Sequence, residues 1–471
     1  MKKTILNILT SLTLLMILVG CGLNSKTTED TSAKNTSDLL ENLDKATNEE
    51  VSEEKESQKT SDPKKSDREN AKSRWQRSLA KEKNDKKAQA KLKKERAIAD
   101  KEIKKDKKII SKNKEKDEDK EGAYTKIKAK FFGDTMAHIG QVQYALAYGG
   151  GDYDFSNQFS YIKDYVKDSD LAITNYETTS DPNKQYSGYP AFNTPANYLK
   201  NIKEAGFDVV TTANNHALDT DEEGVQTTIE AIKEAGLDFV GTKAKDSDKI
   251  LYKEINGIKV AILAYTYGAN GKEDLLDVRD EVSSLNYLNE ENVKSDIEEA
   301  KKNSADFIIV YPHWGIEYES YPTDETIKLA HKMVDWGADL VIGNHPHVVQ
   351  PVEVYKSEDG REGIIAYALG NFISKQSLEV SGDIRVEQAL SIEVTLEKDK
   401  KTGKKKLSDM KLHPLWVGTN YDQYGASSKT YLCEDFLEGG SKYDLVDDNM
   451  RARIQQAYDM TIKTAKTEVK E

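Results

Sequence analysis

The sequence predicts an α/β body carried behind a long charged tether, and three observations predict it. From Ala123 onward, apolar runs of strand length alternate with amphipathic stretches of helix length. A helix–glycine–strand joint recurs three times: Ile202-Lys203-Glu204-Ala205-Gly206 leads into Phe207-Asp208-Val209-Val210, Ile232-Lys233-Glu234-Ala235-Gly236 into Leu237-Asp238-Phe239-Val240, and Met333-Val334-Asp335-Trp336-Gly337 into Ala338-Asp339-Leu340-Val341. In each, a glycine able to take positive φ stops a helix before a strand begins. The joints are unequally spaced, which argues for an α/β sheet and against a solenoid. Composition agrees: 471 residues with 37% hydrophobic side chains, 69 Lys or Arg and 82 Asp or Glu are too polar for a polytopic membrane protein and too apolar for wholesale disorder.

Residues 1–21 read as a lipoprotein signal peptide. Lys2 and Lys3 precede a mostly apolar run from Ile5 to Val19, too short for a span of roughly 20 residues, and Leu18-Val19-Gly20-Cys21 resembles a bacterial lipobox. Cys21 is then the expected lipid attachment point, with an uncleaved N-terminal anchor as the competing reading; both place the body outside the cytoplasm, on the bacterial cell membrane. Residues 22–121 form a charged, low-complexity tether, disordered or locally helical, without the apolar stripe needed to pack. Its charge is segregated. Thr27–Gln58 holds 10 acids and 3 bases, whereas Lys72–Lys116 holds 19 bases and 7 acids. The basic arm is a spacer, or a contact for anionic lipid heads or an anionic wall polymer.

The body is expected over 122–420, with 421–471 as a C-terminal extension ending in a helix from Asp447 to about Ala465. Strands are expected at Ile127–Phe132, Leu171–Asn175, Asp208–Thr212, Val260–Tyr265, Phe307–Tyr311, Leu340–Ile342, Ile364–Leu369 and Leu390–Leu396. Helices are expected near Phe155–Val166, Glu223–Glu234, Asn292–Lys302 and Thr326–Trp336.

Five strands run into polar tips: Gly133-Asp134-Thr135-Met136, Asn175-Tyr176-Glu177-Thr178, Asn214-Asn215-His216, Pro312-His313-Trp314-Gly315-Ile316-Glu317-Tyr318 and Gly343-Asn344-His345-Pro346-His347. In α/β sheets, sites form at the carboxyl ends of strands, so these tips are expected to gather Asp134, Glu177, Asn215, His313, His345 and His347 around one cavity. Carboxylates, an amide oxygen and imidazoles suit Mn, Fe or Zn. Six ligands exceed the four of a structural zinc, so two ions are more economical than one, and one or two divalent transition-metal ions are expected. With only two cysteines, Cys21 and Cys433, a thiolate zinc site and a disulfide scaffold are excluded. His216, next to Asn215, is the candidate proton donor. Trp314, Glu317 and Asn371 are expected beside the ligands rather than among them. Residues Asp117–Glu471 hold 62 acids and 40 bases, so an anionic substrate would need a metal to approach. Gly149-Gly150-Gly151 lacks the strand-before, helix-after context of a nucleotide loop. No nucleic-acid partner is expected.

Asn214-Asn215-His216 with Asp219, His313-Trp314-Gly315 with Glu317-Tyr318, His345-Pro346-His347-Val348-Val349-Gln350 and Tyr367-Ala368-Leu369-Gly370-Asn371-Phe372 resemble the CapA family. That family is associated with poly-γ-glutamate capsule synthesis and is related to the calcineurin-like metallophosphoesterases. The resemblance runs from about Ile127 to Phe372. It implies a four-layer αββα sandwich, and it implies roles: Asp134 and His347 for one metal, Asn215, His313 and His345 for the second, Glu177 at the bridging position and His216 as the acid. It also implies an anionic envelope polymer such as poly-γ-glutamate as partner, together with other membrane proteins of capsule synthesis.

Two positions depart from the metallophosphoesterase pattern. Where an Asp-x-His pair is usual, Asp134 is followed by Thr135 and Met136, and a thioether is a poor ligand for these ions; His138 is the nearest substitute. The bridging position carries Glu177 in place of a longer Asp-containing motif. Three readings therefore stand: a metal-dependent hydrolase or transferase of capsule or envelope polymer assembly, a non-catalytic polymer-handling scaffold, and a general envelope metallophosphodiesterase.

Overall fold

In the computed structural model, which describes residues 123–243, 249–272 and 284–470, the apolar runs assemble into two sheets. The expected signal peptide, Cys21 and the tether lie outside the described residues. The first sheet has eight strands. Its central path is β1 (Tyr124–Thr135), β2 (Leu171–Tyr176), β3 (Val209–Thr211) and β4 (Asp238–Val240), all parallel. The second has six: β5 (Leu251–Ile255), β6 (Ile258–Thr266), β7 (Phe307–His313), β8 (Leu340–Ile342), β9 (Val352–Lys356) and β10 (Glu362–Ala366), in the order β5-β6-β7-β8-β10-β9. The strand β11 (Asn371–Ile373) joins the first sheet beside β1 in parallel. Along the rest of that edge of β1, opposite β2, β12 (Gln388–Asp399) pairs antiparallel, followed by β13 (Lys405–Asp422) and β14 (Gly425–Leu432).

Strands covered on both faces must be apolar at both side-chain periods. Ile127, Ala129, Phe131, Ile173 and Val209 of the first sheet meet Val260, Ile262, Ala264, Ile309 and Ile342 of the second in one core between the sheets. The alternate residues Ala261, Leu263, Ile308, Val310 and Val341 face outward onto two helices, Glu290–Lys302 and Asp324–Trp336, through Val293, Ile297, Ala330 and Met333. The outer face of the first sheet is aromatic. Phe132 packs edge-on against Phe207 (5.0 Å) and Phe372 (4.9 Å), and Tyr198 of the helix Asn197–Ala205 lies over Phe155 and Tyr176. Helix, sheet, sheet, helix is thus the layer order, as the resemblance implies.

The helix ends follow local chemistry. Asn289 accepts hydrogen bonds from the N–H groups of Glu291 and Asn292, and Thr323 accepts from Thr326; each cap is followed by two acids that complement the helix dipole. The three glycines that close the helix–strand joints, Gly206, Gly236 and Gly337, have φ of 111°, 76° and 135°.

Some expectations need correction. Phe155–Val166 is not one helix: a 3-10 turn at Ser156–Phe159 precedes a short helix at Lys163–Lys167. The strand expected at Ile364–Leu369 ends at Ala366, because the chain must leave the second sheet to deliver β11 to the first. The division expected at 420 falls inside β13, whose pairing with β14 from Leu415↔Leu432 to Asp422↔Gly425 binds residues beyond 420 into the same sheet. A ten-residue helix at Ile139–Tyr148 escaped the sequence reading. Among the described residues no helix is long and apolar enough to cross a membrane.

Candidate metal centre

The five polar tips meet where the carboxyl ends of both sheets converge. Asp134 is the penultimate residue of β1 and pairs in register with Asn175 of β2. Asn175 and Glu177 lie two apart and so leave the strand on the same side. From the second sheet, His313 ends β7, while His345 and His347 follow β8. All six expected ligands are buried, with Asp134 and Glu177 at 0% exposure.

Two sets of side chains could each surround an ion: Asp134, Glu177 and His347, and Glu177, His313 and His345. In each set the donor atoms lie within 4.8 Å of one another. Glu177 belongs to both. Its Oε1 lies 3.4 Å from His313 Nε2 and 3.9 Å from His347 Nε2. The Oδ1 of Asn215 sits 2.9 Å from that same His313 nitrogen, which puts Asn215 on the second set's side.

The chemistry of these atoms fits a cation. Both carboxylate oxygens of Glu177 and Nδ1 of His345 are buried without a hydrogen-bond partner. Such groups carry a desolvation cost that bound metal would offset. Burial, and then the negative charge of Asp134, raises the Glu177 carboxyl well above the usual carboxylate range. Burial, reinforced by His345 and His347, holds His313 well below the ordinary imidazole value, and burial with His347 lowers His345 to about 3. Neutral imidazoles with lone pairs to offer are what a metal requires. For His347 burial also opposes the charge, but the hydrogen bond and charge of Asp134 outweigh it, and its pKa is raised.

Surrounding groups fix the ligands in place. Asn175 donates to Oδ1 of Asp134 (2.8 Å) and accepts from Thr211 (3.1 Å), while the backbone N–H of His345 donates to Asp134 Oδ2 (3.2 Å). His347 Nδ1 donates to Oδ1 of Asn371 (3.0 Å), leaving Nε2 toward Glu177. Anchoring one ring nitrogen orients the other. His345 and His347 have φ of 99° and 57°. Positive φ in a residue with a Cβ costs of order 1–3 kcal/mol and persists where the surroundings over-determine it. Here the Asp134 acceptor and a hydrogen bond from Tyr318 N–H to the Pro346 carbonyl (2.8 Å) do so.

His216 adjoins the ligands from the tip after β3. Its Nδ1 donates to Oδ2 of Asp219 (2.7 Å), and that oxygen also accepts from the backbone N–H of Phe192 (2.6 Å), whose ring stands edge-on to the imidazole. Asn214 holds the turn by donating to the Tyr176 carbonyl (2.8 Å) and accepting from His216 N–H (3.1 Å). Tyr267, half exposed, covers His345 with ring centroids 4.7 Å apart, and Tyr318 flanks His347 at 6.1 Å.

Of the residues expected beside the ligands, Asn371 contacts His347, and the charge of Glu317 acts on Glu177 and His347. Trp314 turns the other way. Its indole N–H donates to the Tyr367 carbonyl (2.9 Å) and its ring packs in the core beneath the outer helices. His138 is the N-cap of the helix Ile139–Tyr148, packs edge-on against Phe192 and belongs to neither ligand set. Met136, in the place of the usual second ligand, is buried. The sequence reading assigned no role to Asn175, Asn214 or Tyr267; the alternation of Asn175 with Glu177 was the available signal for the first.

The chain thus has a two-sheet, four-layer fold with a histidine–carboxylate cluster at the joined strand ends, a candidate site for divalent metal. The sequence model of the family described as bacterial capsule synthesis protein PGA_cap matches residues 128–376, more than half of the chain, and the chain belongs to that family. It is 37% identical over 228 residues to the capsule biosynthesis protein CapA of Bacillus anthracis, covering 46% of this chain and 54% of that one. It is 31% identical over 294 residues to the PGA biosynthesis protein CapA of Bacillus subtilis, covering 61% and 72%. The chain therefore spans about half the length of the first relative and nearly three quarters of the second. Among solved structures, the calcineurin-like phosphoesterase YfkN of Bacillus subtilis is similar at 15% identity and a TM-score of 0.38, over 72% of this chain and 99% of that one.

Proposed function

We propose that the protein acts in capsule or envelope polymer assembly outside the cytoplasm, held to the membrane through lipidated Cys21, and that its cluster binds one or two Mn, Fe or Zn ions. The observation that carries the metal reading is Glu177: a fully buried carboxylate, shared by two ligand sets, with neither oxygen hydrogen-bonded. Asp134, Glu177 and His347 would hold one ion, and Glu177, Asn215, His313 and His345 the other. Bound there, a divalent ion supplies Lewis-acid polarisation of a phosphoryl or carboxyl oxygen and an acidified water. His216 works beside it. With Nδ1 bonded to Asp219, its Nε2 is the nitrogen left to give a proton to a leaving oxygen. Tyr267 and Tyr318 stand against the ligand histidines His345 and His347.

The relatives named for capsule and PGA biosynthesis support poly-γ-glutamate as the polymer and capsule-synthesis membrane proteins as partners. The inequality of the two ligand sets supports a second reading, a one-ion centre that grips polymer carboxylates without turnover. Four residues offer donors on the His313 side and three on the Asp134 side, where Met136 contributes nothing. Elemental analysis of purified protein against His313→Ala and His345→Ala, with a phosphodiester and a poly-γ-glutamate assay on the same samples, tests both. Metal lost from the variants supports the site, and turnover decides between the readings; metal content unchanged by either substitution would refute the site. Cys21→Ala should release the protein from membranes on fractionation, and continued retention would refute lipid anchoring at that residue.

A further inference from the structure

The site is itself acidic: the charges of Asp134, Glu317 and Asp219 all act on Glu177. A polyanion approaching them needs a cation that the protein supplies beyond any metal. Lys375 stands at the right place. It follows β11, and its neighbours tie it to the site: Asn371 donates to Oε1 of Gln376 (3.0 Å) while accepting from His347, and the backbone N–H of Lys375 itself reaches Nδ1 of His138 (3.4 Å). The lysine arm lies against Gly140. A Cβ on that glycine would come within 1.9 Å of the ammonium nitrogen and 2.9 Å of the carbon before it. Glycine within a helix costs roughly 0.5–1 kcal/mol relative to alanine, so its presence in Ile139–Tyr148 calls for a reason, and space for the lysine is one. His138, which the Lys375 backbone reaches, stands 5.1 Å from the Phe192 ring, and Phe192 stands 4.7 Å from His216, so Lys375 lies on the His216 flank of the cluster.

We propose that Lys375 is a specificity-determining residue that binds an anionic oxygen group of the ligand next to the group held by the metal. The ligand is accordingly one that carries anionic groups at short intervals. This rests on the metal reading above and adds to it the residue that receives the second anionic group. A carboxylate chain and a phosphate share the chemistry, and the experiment separates them.

Thermal denaturation of the manganese-loaded protein is followed while γ-glutamyl-glutamate or inorganic phosphate is titrated, with acetate as the single-carboxylate control. The proteins are wild type, Lys375→Gln, Lys375→Arg and Gly140→Ala. The glutamine variant should weaken the midpoint roughly 10- to 100-fold for the anion that the lysine recognises, as expected for one contact to a charged group. Arginine should restore most of it. Gly140→Ala, which keeps the charge but displaces it, should weaken the same anion. A shift confined to the dipeptide identifies a carboxylate, and one confined to phosphate a phosphoryl group. Midpoints for both anions within twofold of wild type in Lys375→Gln would overturn the proposal. Manganese alone should stabilise all four proteins alike. If it stabilises none, the metal reading fails, whereas a Lys375-dependent anion shift in those same samples would keep the lysine site standing.

Discussion

Replacing Glu177 by glutamine should change stability in opposite directions with and without metal. In the metal-free protein the two Glu177 oxygens are buried and lack donors, and Asp134 adds a like charge. An unsatisfied buried polar group costs about 1–3 kcal/mol, and a charged one more. Glutamine keeps the shape and removes the charge, so the metal-free variant should be more stable than wild type by about 1–3 kcal/mol near pH 7.5. The pH dependence follows from the sign of the shift. A carboxyl whose folded pKa is raised contributes stability that is present below its ordinary value of 4.5 and lost as pH rises through the folded value. Metal-free wild type should therefore lose stability with rising pH above 4.5, and the variant should lose less.

Metal reverses the comparison. An ion that binds only the native state at a hundred times its dissociation constant adds about 2.7 kcal/mol, and Glu177 belongs to both ligand sets, so most of that increment should vanish in Glu177→Gln. The assay is chemical denaturation in EDTA and in excess manganese, at pH 6 and pH 8. A variant less stable than wild type in EDTA, with the manganese increment intact, would refute the argument.

His216→Ala should keep its metal by elemental analysis while losing hydrolysis of any substrate the wild type turns over, by roughly 100- to 10,000-fold for a lost general acid; undiminished turnover would remove His216 from that role. Lys130, fully buried in β1, donates to the Tyr165 carbonyl (2.6 Å), lies 3.4 Å from Glu393 and stands 3.8 Å over the Tyr165 ring. Lys130→Ala should cost about 2–5 kcal/mol through the cavity it leaves. Lys130→Met, which preserves the volume while Glu393 keeps Lys411, should cost much less in urea denaturation. Equal losses in the two variants would show that charge rather than packing sustains that position.

Much of the fold was legible because the chain signals its strands on two faces. Residues 260–264 and 307–311 are apolar at every position, and the outcome is strands of the second sheet packed against the first sheet on one face and helices on the other. The three glycines after helices were legible for a stereochemical reason, and each has positive φ. What escaped was set by tertiary contacts. Phe155–Val166 carries helical spacing, but Phe155 and Phe159 are drawn onto Tyr198, and the segment breaks into a 3-10 turn and a short helix. The short β11 gives no periodicity of its own and exists because β1 offers it a free edge. At the site, the strand-end histidines were visible as residue types in polar tips. The direction of Trp314 was not, since its indole is bonded to the Tyr367 carbonyl and packed in the core under the outer helices, while Tyr318 four residues on stands against His347.

The close approach of the two sheets at the site has its own requirement. Gly133 and Gly343 lie beside the ligand-bearing ends of β1 and β8, and a Cβ on either would fall 1.8 Å from the Gly370 carbonyl oxygen or 1.9 Å from that of Tyr367. Both obstacles are backbone, so neither can move aside as a side chain would. The same crowding lets Asp134 N–H donate to the Gly370 carbonyl (3.0 Å) and Leu369 N–H to that of Gly343 (3.2 Å), locking each ligand strand to the segment between β10 and β11. That segment delivers Asn371 to His347 and carries the chain on to Lys375. The ligands of the first sheet, the histidines of the second and the lysine at the flank are therefore positioned by one crossover between sheets. A change that loosens it should disturb metal binding and anion binding together, whereas Lys375→Gln should disturb only the second.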